Sequence, residues 1–289
     1  MKLLILPIIC IIAIQQYSCN NDPKNSKANG TPVKVSDKGV NIVYSDSGKG
    51  DTTLLFVHGW GINRSYWLDQ INFFNKKYRV IAIDLPGFGE SGKNRSVWNT
   101  EAYGKDIDSV ITQLNLKNVV LIGHSMAGHI ILQAAINEPD KVVGMVGVDN
   151  FKSVGTVETE QDKKGYAVAM NELKHHFKPF ATQWFNQQLF YKTTADTIKK
   201  RILNDIGKAD SLIAVAAIED DGFDEVKKLA VAKKKLYLIN SDYTPTDITG
   251  FKNNHIPYQL LYIHATGHFP MVEKPQEFNT ALSDILNKL

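Results

Sequence analysis

The stretch Val119-Val120-Leu121-Ile122-Gly123-His124-Ser125-Met126-Ala127-Gly128 constrains this chain more than any other. Its first four residues are apolar and mostly β-branched, the pattern of a short strand buried on both faces. The residues that follow, Ile130-Ile131-Leu132 with Ala134-Ala135, have helical spacing and meet no breaker until Pro139. A single serine therefore sits on a strand-to-helix turn. The small residues Gly123 and Ala127 flank it two positions away on either side and let strand and helix approach closely. That approach predicts a strained backbone at Ser125, with its hydroxyl held away from the sheet. It also aims the backbone N–H of Met126, in the first turn of the helix, at any negative charge that develops beside the serine oxygen. The alternative is a glycine-containing turn with a chance serine, so the rest of the chain must decide.

The rest of the chain repeats the same rhythm. Strands are predicted over residues 33–35 and 41–44, joined at Asp37-Lys38-Gly39, and then over 53–57, 79–84 and 141–149. Between them lie a helix carrying Trp67, Ile71 and Phe74, and a second over about 103–114 with Ile107, Val110, Ile111 and Leu114 on one face. Such alternation predicts an α/β fold, a mostly parallel sheet of about eight strands covered by helices. The rhythm stops at about residue 151. Residues 151–230 read as helical and aromatic, a cap inserted into the sheet domain. Strands at 236–242 and 259–263 and a closing helix from Pro275 complete a domain spanning 32–289. Most cap aromatics are expected to form the cap's own core, with some facing the cleft.

The N-terminus has a different character. Lys2 precedes an apolar run over residues 3–14, shorter than the ~20 residues of a membrane span and suited to a signal-peptide core. It ends at Gln16-Tyr17-Ser18-Cys19, which resembles a bacterial lipoprotein signal, except that Gln16 stands where an aliphatic residue is usual. Residues 1–18 are thus expected to be a signal peptide, Cys19 a lipid attachment point to the membrane, and 19–31 a polar, flexible tether. The chain's 2 cysteines, Cys10 and Cys19, both fall here, which leaves the folded part without thiol chemistry, a disulfide or a cysteine-ligated metal. The net charge of +3 is too small to argue for a nucleic-acid partner.

Ligands of open parallel sheets collect at the carboxyl ends of the strands. His58-Gly59-Trp60, Ser125, Asp242 and His268 all fall there. A serine hydroxyl needs an imidazole to take its proton, and the imidazole needs a carboxylate to fix its tautomer. The chain order serine, acid, histidine is the one expected of an α/β-hydrolase. The stretches His58-Gly59-Trp60-Gly61, Asp84-Leu85-Pro86-Gly87-Phe88-Gly89-Glu90-Ser91, Gly123-His124-Ser125-Met126-Ala127-Gly128, Asn240-Ser241-Asp242 and Gly267-His268-Phe269 together resemble the esterase- and lipase-like α/β-hydrolases, over essentially everything after the tether. Ala127 departs from the commoner glycine without harm to the turn.

The resemblance implies Ser125 as nucleophile, Asp242 as acid and His268 as base, with the backbone N–H groups of Trp60 and Met126 as oxyanion hole. Asp149, at the end of the preceding strand, is the other candidate acid, and His264 the other candidate base. His58 and His124 are expected to bond neighbouring loops rather than react. The pair His175-His176 has no carboxylate at helical spacing to complete a metal site. No metal or cofactor is therefore expected. The implied activity is hydrolysis of a small-molecule acyl substrate through an acyl-enzyme. The competing possibility is a ligand-binding or interaction module that keeps the fold without turnover.

Overall fold

The structure is a computed structural model and describes residues 33–34, 39–219 and 221–289. The expected signal peptide and tether, both cysteines, and the turn residues Asp37 and Lys38 lie outside the described residues. Strands β1 (Val33–Lys34) and β2 (Asn41–Ile42) pair antiparallel. Next come β3 (Tyr44–Asp46), β4 (Thr53–Val57), a 3-10 turn over Arg64–Trp67, α1 (Leu68–Phe74), β5 (Arg79–Ile83) and α2 (Thr100–Gln113). They are followed by β6 (Val119–His124), α3 (Ala127–Asn137) and β7 (Val142–Val148). The helices α4 (Glu160–Gln188), α5 (Asp196–Ile206), α6 (Ser211–Ile218) and α7 (Glu225–Ala232) then run without an intervening strand. The chain closes with β8 (Leu236–Ser241), α8 (Thr249–Asn253), β9 (Tyr258–Ile263), α9 (Pro270–Glu273) and α10 (Pro275–Leu286).

Among the described residues the main sheet has seven strands in the order β3-β5-β4-β6-β7-β8-β9. Only β3 is antiparallel to its neighbour. The strands β4 and β6 are buried at every residue, which is why they read as unbroken apolar runs rather than alternating ones. Helices α2, α3 and α7 pack together, while α1 and α10 pack together elsewhere on the sheet. On α2 Ile107, Val110 and Ile111 of the foreseen stripe are buried, joined by Tyr103, while Leu114 caps the helix.

Strand β4 has β5 on one side and β6 on the other. The chain steps outward from β4 to β5 and then returns to the opposite side, so the strand order reverses between β4 and β6. A crevice opens at the carboxyl ends of the strands at such a point. The loop after β4 begins at His58, and the turn after β6 holds Ser125.

Within the helical stretch, α4 packs on α5 and α6, whereas α7 packs on α3. The last helix of the segment expected as cap thus flanks the sheet and leads into β8. The long helix α4 breaks at His176 (φ −134°, ψ 41°), three residues before Pro179. Proline lacks the N–H of the helical ladder, and its ring crowds the carbonyl four residues earlier, that of His175. Phe177, Phe185 and Phe190 are buried in the core, whereas Tyr166 and Trp184 of the same segment are exposed.

Candidate active site

Ser125 has φ +53°, a left-handed backbone that costs a residue with a Cβ about 1–2 kcal/mol. Three features hold it there. The Ser125 N–H donates to the Val148 carbonyl (2.9 Å), and the Gly128 N–H donates to the Ser125 carbonyl (2.9 Å). Asn150 Nδ2 donates to the carbonyls of Gly123 (2.9 Å) and Ser125 (3.2 Å), on either side of the turn. A Cβ at Gly123 would lie 2.6 Å from the Ala127 carbonyl oxygen. Only glycine allows strand and helix this close, which is the physical content of the motif.

His268, in the loop after β9, places Nε2 2.8 Å from Ser125 Oγ. Its Nδ1 lies 2.6 Å from Asp149 Oδ2. The resemblance assigned the acid to Asp242, and the structure corrects this. Asp242 turns to the surface and accepts from His264 Nδ1 at 2.7 Å. The side chain of His264 is 73% exposed; it is the partner of Asp242, and not of Ser125. The reason lies in the packing of adjacent strand ends. The Ser241 N–H donates to Asp149 Oδ1 (2.7 Å), so the backbone at the end of β8 abuts the Asp149 carboxylate. The next side chain along, Asp242, is directed outward. Asp149 itself has φ +49° and is almost wholly buried. Burial pushes its pKa up, but the bond from His268, the charge of His268 and the nearby Lys152 outweigh that and hold it below the ordinary carboxylate value.

The loop after β4 passes over this serine. A Cβ on Gly59 would fall 3.1 Å from Ser125 Cβ and 2.5 Å from His124 Nδ1. His58 fastens the loop: its Nδ1–H donates to the Gly59 carbonyl (2.7 Å), and its Nε2 accepts from the Leu85 N–H (3.0 Å). Burial lowers its pKa, which keeps it the neutral ring this pattern requires. His124 donates from Nε2–H to the His268 carbonyl (2.7 Å). Burial, followed by the proximity of His268, lowers its pKa to about 3. Both histidines serve loops, as expected. Met126 takes helical φ/ψ at the cap of α3. Among the described residues, neither its N–H nor that of Trp60 is bonded to another backbone carbonyl.

The helical stretch touches both loops. Trp60 Nε1–H donates to the Ala214 carbonyl on α6 (2.7 Å), and its ring meets Phe177, Trp184 and Phe185 of α4 at 5.7, 6.1 and 5.7 Å between centroids. The His268 N–H donates to the Leu189 carbonyl just past α4 (2.8 Å). Glu273 Oε1 accepts from the N–H of Gly267 (2.9 Å), and its Oε2 accepts from Thr194 Oγ1 (2.5 Å).

Sequence reasoning missed Asn150, Lys152 and Glu273. Each acts through a contact with residues distant along the chain, and none belongs to a short motif. Asn150 directly follows Asp149, so a strand ending in Asp-Asn was the only signal available. His175 Nδ1 bonds the Asn171 carbonyl within its own helix (2.8 Å). Among the described residues, no group of three or more His, Cys, Asp or Glu side chains could hold a metal ion.

Comparison with known proteins identifies the family of the fold. The family profile described as the alpha/beta hydrolase fold matches residues 52–198. The chain is 36% identical over 269 residues to the uncharacterized hydrolase YugF of Bacillus subtilis, covering 86% of this chain and 95% of that one. It is 24% identical over 254 residues to 3-oxoadipate enol-lactonase 2 of Acinetobacter baylyi, covering 86% and 94%. Among solved structures, a thermophilic esterase from Thermogutta terrifontis superposes with a TM-score of 0.76 at 22% identity, covering 90% of this chain and 99% of that one. The chain belongs to the α/β-hydrolase fold family.

Proposed function

We propose that this protein is a serine hydrolase that cleaves an ester or related acyl bond through an acyl-enzyme. One observation carries the reading. Ser125 Oγ, His268 and Asp149 form a continuous relay with contacts of 2.8 and 2.6 Å, at a serine with φ +53°. Asp149 accepts from Nδ1–H and so leaves Nε2 as the base. Ser125 Oγ attacks the substrate carbonyl as His268 Nε2 takes its proton. The backbone N–H groups of Trp60 and Met126 receive the oxyanion. The intermediate collapses, His268 returns the proton to the leaving group, and Ser125 is acylated. Water then attacks the acyl carbon as Nε2 takes its proton, and the same proton restores the serine. Asp149 stays ionised throughout. The cycle balances with substrate and water alone.

In this reading α4–α6 form the cap over the site, and its aromatic character favours a small or medium apolar acyl group. The chain's similarity to an enol-lactonase puts lactones beside simple esters among the substrates to test. The N-terminal signal and a lipid on Cys19 would place the enzyme at a membrane surface. Incorporation of labelled fatty acid, lost in Cys19→Ala, tests that placement.

The test of the reaction combines a fluorophosphonate probe with a panel of acyl esters, amides and lactones. Wild type is expected to be labelled at Ser125 and to hydrolyse part of the panel. Ser125→Ala is expected to lose labelling and about 1,000-fold or more in rate. An unlabelled wild type with no turnover would instead support a binding module on the same fold.

A further inference from the structure

The carboxylate bonded to His268 has a second ionic partner that the proposed reaction does not use. Lys152, three residues beyond Asp149, places Nζ 2.8 Å from Asp149 Oδ1. The same ammonium donates to the carbonyls of Ser241 (3.1 Å), the last residue of β8, and of Thr244 (2.7 Å) in the loop that follows. The ammonium thus faces three acceptors, and its side chain is 18% exposed. This is a fixed charge rather than a solvated lysine. Asp149 therefore has His268 on one oxygen and a cation on the other.

We propose that Lys152 is a positioning residue of the hydrolysis: it partly neutralises Asp149 and so sets the pH range over which His268 works as a free base. The inference rests on the proposed serine-hydrolase reading. The carboxylate has two tasks, to orient the imidazole and to stabilise the imidazolium formed in each transition state. Orientation needs only the Nδ1–H bond. Stabilisation scales with the net negative charge that His268 meets, and an ammonium at hydrogen-bond distance from the far oxygen reduces it. With Lys152 in place the imidazolium is stabilised less, so the ring loses its proton at lower pH. Without it, Asp149 acts as a full anion and holds the proton on His268 to higher pH.

Other ionisable groups near the couple do not duplicate this effect. His124, from β6, lies 4.8 Å from His268 between ring centroids and is kept neutral by burial. His58, beyond β4, is wholly buried and bonded to the loops. Asp242 and His264, from the ends of β8 and β9, pair with each other. Glu273, of α9, is bonded to Gly267 and Thr194. Lys152 is the cation that touches the acid.

The experiment is the pH–rate profile of ester hydrolysis for wild type, Lys152→Met, Lys152→Gln and Lys152→Arg, each checked for folding by circular dichroism. Across the carboxylate the ammonium stands on the order of 6 Å from the ring, and at an effective dielectric of about 20 its removal is expected to move the midpoint of the ascending limb by about two pH units. Lys152→Met and Lys152→Gln should move it upward and lose up to about 100-fold in rate well below the midpoint, while keeping or exceeding the wild-type plateau. Lys152→Arg should restore the wild-type midpoint. Folded variants with a lower plateau and an unmoved midpoint would overturn the proposal, because a purely structural lysine does that. Failure of both neutral variants to fold, with Lys152→Arg intact, would overturn it as well and assign the residue to tying the two loops. Ser125→Ala, run alongside, separates the two ideas: if it retains hydrolysis, the serine-hydrolase reading has failed, whatever Lys152 does.

Discussion

Substituting the two candidate acids, Asp149→Asn and Asp242→Asn, tests the site more sharply than removing the serine. In Asp149→Asn, Oδ1 can still accept from the Ser241 N–H, which lies 2.7 Å away in the wild type. The new NH2 group then faces His268 Nδ1, where the wild-type carboxylate oxygen stood at 2.6 Å. An amide N–H donates, so Nδ1 must become the acceptor and the ring proton moves to Nε2. That nitrogen faces Ser125 Oγ at 2.8 Å and can no longer take its proton. This tautomer trap, together with loss of the anion, is expected to lower kcat/KM by about 1,000- to 10,000-fold, or about 4–5.5 kcal/mol of transition-state stabilisation. Asp242→Asn removes only an exposed pair with His264, worth at most about 1 kcal/mol, so its kcat/KM should stay within about fivefold of wild type. Hydrolysis of a short-chain p-nitrophenyl ester, with thermal melts to confirm folding, gives both numbers. If Asp242→Asn falls as far as Asp149→Asn, or Asp149→Asn retains a tenth of the activity, the relay assigned here is refuted.

The remaining predictions concern stability and the loops that carry the site. Ser125→Gly should be more stable than Ser125→Ala by about 1 kcal/mol in chemical denaturation, because glycine alone takes φ +53° without strain; equal stabilities would remove the strained turn from the account. Gly267→Ala should destabilise by about 2–3 kcal/mol and depress kcat, since its Cβ would lie 2.3 Å from the Leu189 carbonyl oxygen that receives the His268 N–H; an unchanged melt and rate would contradict this packing. Acid should destabilise the fold well before the carboxylates titrate. His124 has its pKa lowered to about 3 in the folded protein, whereas the unfolded chain protonates it near 6.5. Its contribution is complete above about pH 6.5 and shrinks as pH falls toward 3, by about 2 kcal/mol at pH 5. Denaturation curves at pH 7.5 and 5 should show the loss, and His124→Gln should diminish it.

The sequence alone determined the strand–turn–helix at Ser125 and the parallel layering around it, and it put His268 forward as the candidate base, with His264 as the other choice. These depend on local chemistry. A buried strand must be continuously apolar, a tight elbow must have small residues at Gly123 and Ala127, and a histidine beside Gly267 must sit in a turn. The order of the strands in the sheet is set by their pairing in the structure. Tertiary structure decided which carboxylate meets His268. Asp149 and Asp242 both end apolar strands, and the two strands are neighbours, so no pattern along the chain separates them. What separates them is direction: the Ser241 N–H and Lys152 fasten Asp149 beneath the imidazole, while Asp242 meets His264 at the surface. Contacts across 119 residues leave no trace in periodicity. The same holds for α7, whose sequence is as helical as α4–α6 but whose packing on α3 places it against the sheet domain, and for Glu273 and Asn150, polar residues that gain meaning only from the backbone groups they reach.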